Sequence, residues 1–166
     1  VGFHEELVGW RCGVTTAKFL DFSKRNEYDP LDFFEPILKP KNDRLILRKG
    51  DFYIFYTRQR IVVPPDYALE MASVDSRNGE YRSHCAGFID PGWGYSGTNG
   101  GAGAPLVLEI RPFEDNLLLR DRQPICKVVY EKMAERPDII YGASAGSHYA
   151  DQDGPRLSKH FKQTES

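Results

Sequence analysis

Two carboxylates stand where proton chemistry is possible. Glu109 lies inside Pro105-Leu106-Val107-Leu108-Glu109-Ile110, an otherwise apolar run. By the two-residue period of a strand it shares a face with Val107, while Leu106, Leu108 and Ile110 take the other. With both faces covered, burial raises the carboxyl pKa toward neutrality and suits it to shuttle protons. With one face wet, Glu109 is the solvent-side residue of an ordinary strand. Asp90 closes Ala86-Gly87-Phe88-Ile89-Asp90-Pro91-Gly92-Trp93, an apolar strand ending in Asp-Pro-Gly. Such a turn either caps the strand or presents Asp90 and its backbone amides to a ligand. The polar segment from Ser147 to Phe161 carries Arg156 and Lys159 after a Gly-Pro turn. It is read either as a tail that folds over an anion or as a frayed polar terminus.

Other chemistries lack their residues. There is no C-x-x-C, and His84 and Cys85 are neighbours that a strand aims to opposite faces. That pair reads as a thiol beside a surface imidazole, not as a metal site. No G-x-x-x-x-G-K-[ST] loop is present. Gly142-Ala143-Ser144-Ala145-Gly146 matches the letters of a nucleophile elbow, but Ser147-His148-Tyr149-Ala150-Asp151 does not read as the helix an elbow needs. The segment reads as a flexible connection.

The elements that must position these groups read as strands. Expected strands are Arg44–Arg48, Phe52–Thr57, Ile61–Val63, His84–Ile89, Leu106–Ile110, Leu117–Leu119 and Ile125–Tyr130. Asp66–Met71 reads as a helical turn or a strand, and Lys132–Arg136 as a brief helical turn closed by Pro137. Many short strands with few helices indicate an all-β sandwich, jelly roll or barrel. The expected organisation is one domain over 1–166: an irregular lead-in over 1–43, a β core over 44–146 and a tail over 147–166. Only Gly92 to Ala104 is low in complexity.

Composition narrows the class. The 166 residues are 40% apolar and 28% charged, enough for a real core. Fifteen glycines and 11 prolines mark a turn-rich chain. The net charge of −2 argues against a general nucleic-acid or membrane-surface binder. No apolar run approaches a membrane span, and the first residues do not read as a signal peptide. Three scattered cysteines (Cys12, Cys85, Cys126) point to reduced thiols and a cytoplasmic location. The Val start leads to the expectation that residues before Val1 exist in the natural chain or that a partner supplies them.

Four segments occur in an order that resembles the deoxycytidine triphosphate deaminases of the dUTPase-like superfamily. They are Pro64-Pro65-Asp66, Ala86–Trp93, Leu106-Val107-Leu108-Glu109, and Tyr149-x-x-Gln152-x-Gly154-Pro155-x-x-Ser158. The match covers roughly residues 44–161. Tyr28–Pro36 and Leu157–Phe161 resemble the carboxyl half of the long, fused form.

The resemblance implies an all-β distorted jelly roll (a β-clip) that assembles as a homotrimer or pseudo-hexamer with sites at subunit boundaries. It implies hydrolysis of dCTP to dUTP and ammonia without a catalytic zinc, with Mg²⁺ carried by the nucleotide phosphates. Glu109 falls on the catalytic glutamate. Ala86, Gly87 and Asp90 fall on the loop that holds base and sugar. Tyr141, His148, Tyr149, Gln152 and Lys159 fall on the segment closing over the triphosphate, with His148 where many members have lysine. Arg77 or Arg82 mirrors the family's phosphate segment. Phe88 stands where single-domain members carry an arginine, the usual opening motif is missing from 1–43, and the Gly-rich run lengthens the Asp90–Glu109 separation. Two alternatives remain open: a dUTPase-type pyrophosphohydrolase with Asp90 as base, and a non-catalytic nucleotide-binding or assembly half.

Overall fold

The computed structural model describes residues 1–13, 18–73, 81–83, 87–95, 101–143, 147–150 and 152–163, with only the backbone described for 73 and 81–83. Ten strands are present among them, and one 3-10 turn, Pro30–Asp32, capped by the Asp29 side chain. The strands are β1 (Leu7–Cys12), β2 (Glu35–Leu38), β3 (Arg44–Leu47), β4 (Phe52–Ile61), β5 (Tyr67–Ser73), β6 (Tyr81–Ser83), β7 (Phe88–Ile89), β8 (Ala104–Pro112), β9 (Leu117–Arg120) and β10 (Cys126–Lys132).

They form a five-stranded sheet in the order β2-β1-β4-β8-β6, a three-stranded sheet β10-β5-β7 and a ribbon β3-β9. All named strand pairings are antiparallel. The all-β expectation therefore holds. Residues 1–43, expected as an irregular lead-in, supply β1 and β2, and β1 lies between β2 and β4. Of the expected strand Ile61–Val63, only Ile61 is strand, as the last residue of the longer β4, and Val62 and Val63 follow it as irregular chain. The ambiguous Asp66–Met71 segment is β5. The expected helical turn at Lys132–Arg136 does not form: Lys132 ends β10 and the residues after it are irregular. Asp66 accepts the Met133 amide, so this chain is held by the loop before β5. Of the expected strand His84–Ile89, Phe88–Ile89 is β7, β6 ends just before the segment at Ser83, and His84, Cys85 and Ala86 lie outside the described residues. Cys12 and Cys126 are half-buried and are not joined by a disulfide.

The alternation of side chains explains the core. Tyr53 faces Ile110 and Phe55 faces Leu108 across β4 and β8. These four are buried in one cluster with Leu47 and Leu119 of the ribbon. The opposite face of the same strands carries Ile54, Val107 and Glu109. Ile54 and Val107 join a second cluster with Trp10, Leu157 and Phe161. One sheet thus has two covered sides: the ribbon lies against one, and the chain's own tail against part of the other.

Beyond Tyr56, β4 advances four residues to Arg60 while β8 retreats two, from Val107 to Pro105. This bulge leaves backbone groups to be satisfied by other means. Thr57 does so: its hydroxyl accepts the Leu106 amide and donates to the Gln59 carbonyl.

Candidate active site

Register places Glu109. Trp10 is the cross-strand partner of Ile54, and Ile54 is the partner of Glu109. Directly opposed residues share a face, so the three form one row across β1, β4 and β8. Trp10 and Ile54 are buried, at 3% and 7% exposure, beneath Leu157 and Phe161. Glu109 is exposed. Of the two sequence readings, this chain shows the wet one: the carboxylate stands where the cover of the tail gives out. Arg111, next on that face, lays its guanidinium 5.6 Å from the centre of the Phe52 ring.

The tail is docked, not frayed. The Trp10 indole N–H donates to the Pro155 carbonyl at 2.9 Å. Tyr28 pairs with Phe161 in an isolated bridge. Gln152 is buried at 2% exposure, and its amide nitrogen donates to the Pro105 carbonyl at 3.1 Å. Because that carbonyl can only accept, the orientation of the Gln152 amide is fixed. Its Oε1 atom is buried and has no hydrogen-bond partner among the described residues. A buried acceptor left unsatisfied costs about 1–3 kcal/mol, a cost that a ligand donor would remove.

The Asp-Pro-Gly-Trp turn is clamped from both sides. Gly92 donates to the Val63 carbonyl at 3.0 Å, and Val63 donates back to Trp93 at 2.8 Å. The Tyr141 amide donates to the Pro91 carbonyl at 2.8 Å. Gly92 has φ +97°, and a Cβ there would lie 2.8–2.9 Å from Ile140 and the Tyr141 backbone. Only glycine fits both the conformation and the space. The clamp brings the Trp93 and Tyr141 rings to 5.2 Å and leaves Asp90 exposed beside them.

Electrostatics connects turn, tail and strand. Burial pushes the Tyr141 phenol up, countered by the Tyr149 amide that donates to it; Tyr149 and the nearby Asp90 charge push it further. Burial also pushes Tyr149 up, and the charge of Glu109 adds to this. Asp90, Tyr141, Tyr149 and Glu109 are thus successive electrostatic neighbours. Both phenols stay neutral and able to donate. His148 stacks edge-on against Tyr149 at 4.6 Å. Burial holds its pKa below the ordinary value, and Arg156, Lys159 and Arg25 depress it further. Arg156 is tied to the His148 carbonyl at 2.8 Å and to Gln163 at 2.9 Å. Lys159 is exposed, and its carbonyl accepts the Asn26 amide.

Of the residues singled out by sequence, the structure brings together Glu109, Asp90, Tyr141, His148, Tyr149, Gln152 and Lys159. Gly87 immediately precedes β7, and its carbonyl accepts the Met71 amide. Arg82 is the register partner of Arg111 on β6. Ala86 and Arg77 lie outside the described residues, as does Ser144 of the elbow-like motif. Trp10, Trp93 and Arg111 were not singled out. Trp10 carries no local signal because its partners come from the far end of the chain, and Trp93 was seen only as part of a motif. Among the described residues no three His, Cys, Asp or Glu side chains gather as a metal site.

These segments also match known proteins. A profile of the family "2'-deoxycytidine 5'-triphosphate deaminase (DCD), C-terminal domain" matches residues 2–161. The chain belongs to the dCTP deaminase family. It is 30% identical over 156 residues to a "dCTP deaminase, dUMP-forming" of Halobacterium salinarum, covering 86% of this chain and 74% of the relative. A dCTP deaminase of Halorubrum lacusprofundi is 29% identical over 156 residues, covering 86% of this chain and 71% of that one. A crystal structure of 2'-deoxycytidine 5'-triphosphate deaminase from Agrobacterium tumefaciens superposes with a TM-score of 0.70 at 40% identity. That match covers 82% of this chain but 40% of the solved chain, so this chain spans about two fifths of its length. The resemblance to the carboxyl half of a long form agrees with the C-terminal-domain profile, and the solved neighbour accords with the expected dUTPase-like fold.

Proposed function

We propose that this chain carries a dCTP-deaminating site in which Glu109 is the acid/base. The reaction consumes dCTP and water and releases dUTP and ammonia. Glu109 takes a proton from the attacking water and passes it toward the pyrimidine ring and the leaving amine. The observation that carries the reading is the Trp10–Ile54–Glu109 row: a rigid, dry platform ends in one water-accessible carboxylate, electrostatically coupled to Tyr149 of the tail.

Support comes from the groups around it. Asp90, exposed on its clamped turn, would accept from a sugar hydroxyl. Among the described residues the Gln152 oxygen has no donor, and a ligand is able to supply one. Arg156 and Lys159 put cationic groups on the tail where a triphosphate, with its own Mg²⁺, would lie, and the His148 imidazole stands beside them as a group whose protonation that anion would favour. Family membership supports the substrate class. Glu109 is open on one side, and a second copy of the chain closing that side, in a trimer, would supply the low-dielectric surroundings that proton transfer favours.

The test is to incubate the purified protein with dCTP and Mg²⁺ and to assay ammonia and pyrophosphate together. Ammonia release is expected, and Glu109→Gln should lower it by about 10²–10⁴-fold while nucleotide still binds. Full activity in that variant would overturn the assignment. The name of the Halobacterium salinarum relative makes a second product worth reading: pyrophosphate in step with ammonia marks dUMP formation. Pyrophosphate from dUTP that survives Glu109→Gln selects hydrolysis with Asp90 as base. Nucleotide binding without turnover selects the assembly role.

A further inference from the structure

The β3–β9 ribbon turns Leu45, Leu47, Leu117 and Leu119 inward, and Leu47 and Leu119 are buried against Leu108 and Ile110. Its outward face pairs Arg44 directly with Arg120. Like charges directly opposed on neighbouring strands destabilise a sheet. Neither guanidinium makes an ion pair among the described residues. A third, Arg122, stands two residues beyond the ribbon at φ +60°, and Asp43 on the facing wall has φ +53°. Both are left-handed conformations that L residues rarely adopt.

The turns that hold them are tied down. Asp121 donates its amide to the Asp43 carbonyl at 3.0 Å, and the Arg120 amide donates to the Gln123 side chain at 2.9 Å. The Asp121 carboxylate is already engaged, accepting the Phe3 amide at 2.8 Å and lying 3.6 Å from both Arg58 and Arg122. Two adjoining clefts of about 400 and 420 Å³ share Arg120, Asp121 and Arg122. Their described lining contains no aromatic ring, so nothing there stacks a base.

We infer that this cleft binds an oligophosphate anion through Arg44, Arg120 and Arg122. Planar guanidinium forks match phosphoryl oxygens, and a bound anion removes the repulsion of the Arg44–Arg120 pair. The site is separate from the candidate active site. The ribbon lies on the inner side of β8, where Leu108 and Ile110 point, while Glu109 looks out from the other side. A phosphate group free in solution and one carried by a nucleotide present the same chemistry here.

Calorimetric titration of the full chain with tripolyphosphate in about 0.15 M salt tests this. Saturable binding is expected, weakened about ten-fold or more in R44Q/R120Q, with R44Q alone serving if the double variant does not fold. In H148A/K159A, which cripples the tail cluster, the binding should persist. In that background, ATP binding that is lost with R44Q/R120Q indicates a nucleotide-borne phosphate, and binding of tripolyphosphate alone a free one; either supports the site. The inference is overturned by absence of saturable binding, by equal affinity in the arginine variants, or by loss in H148A/K159A. It is also overturned if a glutamate-rich peptide binds these arginines and tripolyphosphate does not compete with it, since that marks a protein-docking face. None of these outcomes depends on whether dCTP is deaminated.

Discussion

Glu109 keeps its carboxylate wet while its row partners Trp10 and Ile54 are dry, so one residue meets both water and a fixed surface. His148 poses a different problem. Its pKa is held below 6.5 by burial and by the Arg156, Lys159 and Arg25 charges. In the unfolded chain those influences vanish, so the unfolded state takes up a proton first as pH falls. Stability contributed by His148 is therefore present above about pH 6.5 and declines as pH drops through the window below it. Melting temperature should fall between pH 7.5 and 5.5, and His148→Gln should flatten that part of the curve. Bound triphosphate acts in the opposite direction, because its charge favours the imidazolium. Nucleotide affinity should thus rise on acidification in the native protein, and His148→Lys should bind tighter at pH 7.5 with little pH dependence. Affinity that does not change between pH 7.5 and 6 would remove His148 from the phosphate cluster.

At the scale of elements, two devices hold the site: the clamped turn at 90–93 and the docked tail. Gly92→Ala places a Cβ against the Tyr141 backbone and forces a left-handed alanine. It should cost about 1–3 kcal/mol in denaturant unfolding, whereas Gly87, whose Cβ would meet nothing closer than 3.8 Å among the described residues, should tolerate alanine. Trp10→Phe deletes the hydrogen bond to Pro155 but keeps most of the packing. It should cost about 1 kcal/mol and raise proteolytic cleavage near residues 152–161; a tail as protected as before would show that Leu157 and Phe161 hold it alone. The core strands were legible because alternation is local: Leu106–Ile110 shows its two faces without help. The Ile61–Val63 segment misled because Arg58, Gln59 and Arg60 look like a connection, although β4 runs through them on a bulge that Thr57 satisfies. Lys132–Arg136 misled because helix-forming residues say nothing of the Met133 amide that Asp66 holds. The early aromatics were illegible for a similar reason, since Trp10 finds its acceptor 145 residues later.

For the molecule as a whole, the ribbon side is closed and the Glu109 side is half open. Phe88 and Ile139 are 56% and 71% exposed, and large exposed apolar side chains of this kind are what an interface between copies would bury. Sedimentation should therefore show an assembly larger than one chain, and Phe88→Glu should shift it toward the monomer. Asp90 and Glu109 are separated along the chain by the glycine-rich run, yet that run is pinched shut at its base. Gly103 donates to the Gly94 carbonyl at 3.2 Å, Arg60 holds the Gly103 carbonyl at 3.1 Å, and Gly94 passes so near Ile61 that a Cβ would lie 2.3 Å from its carbonyl oxygen. The span between the two pinch points is thereby uncoupled from the spacing of the two carboxylates. Chain added on the far side of the Gly94–Gly103 contact should leave ammonia release from dCTP unchanged, and a loss would show that this contact does not set the carboxylate spacing.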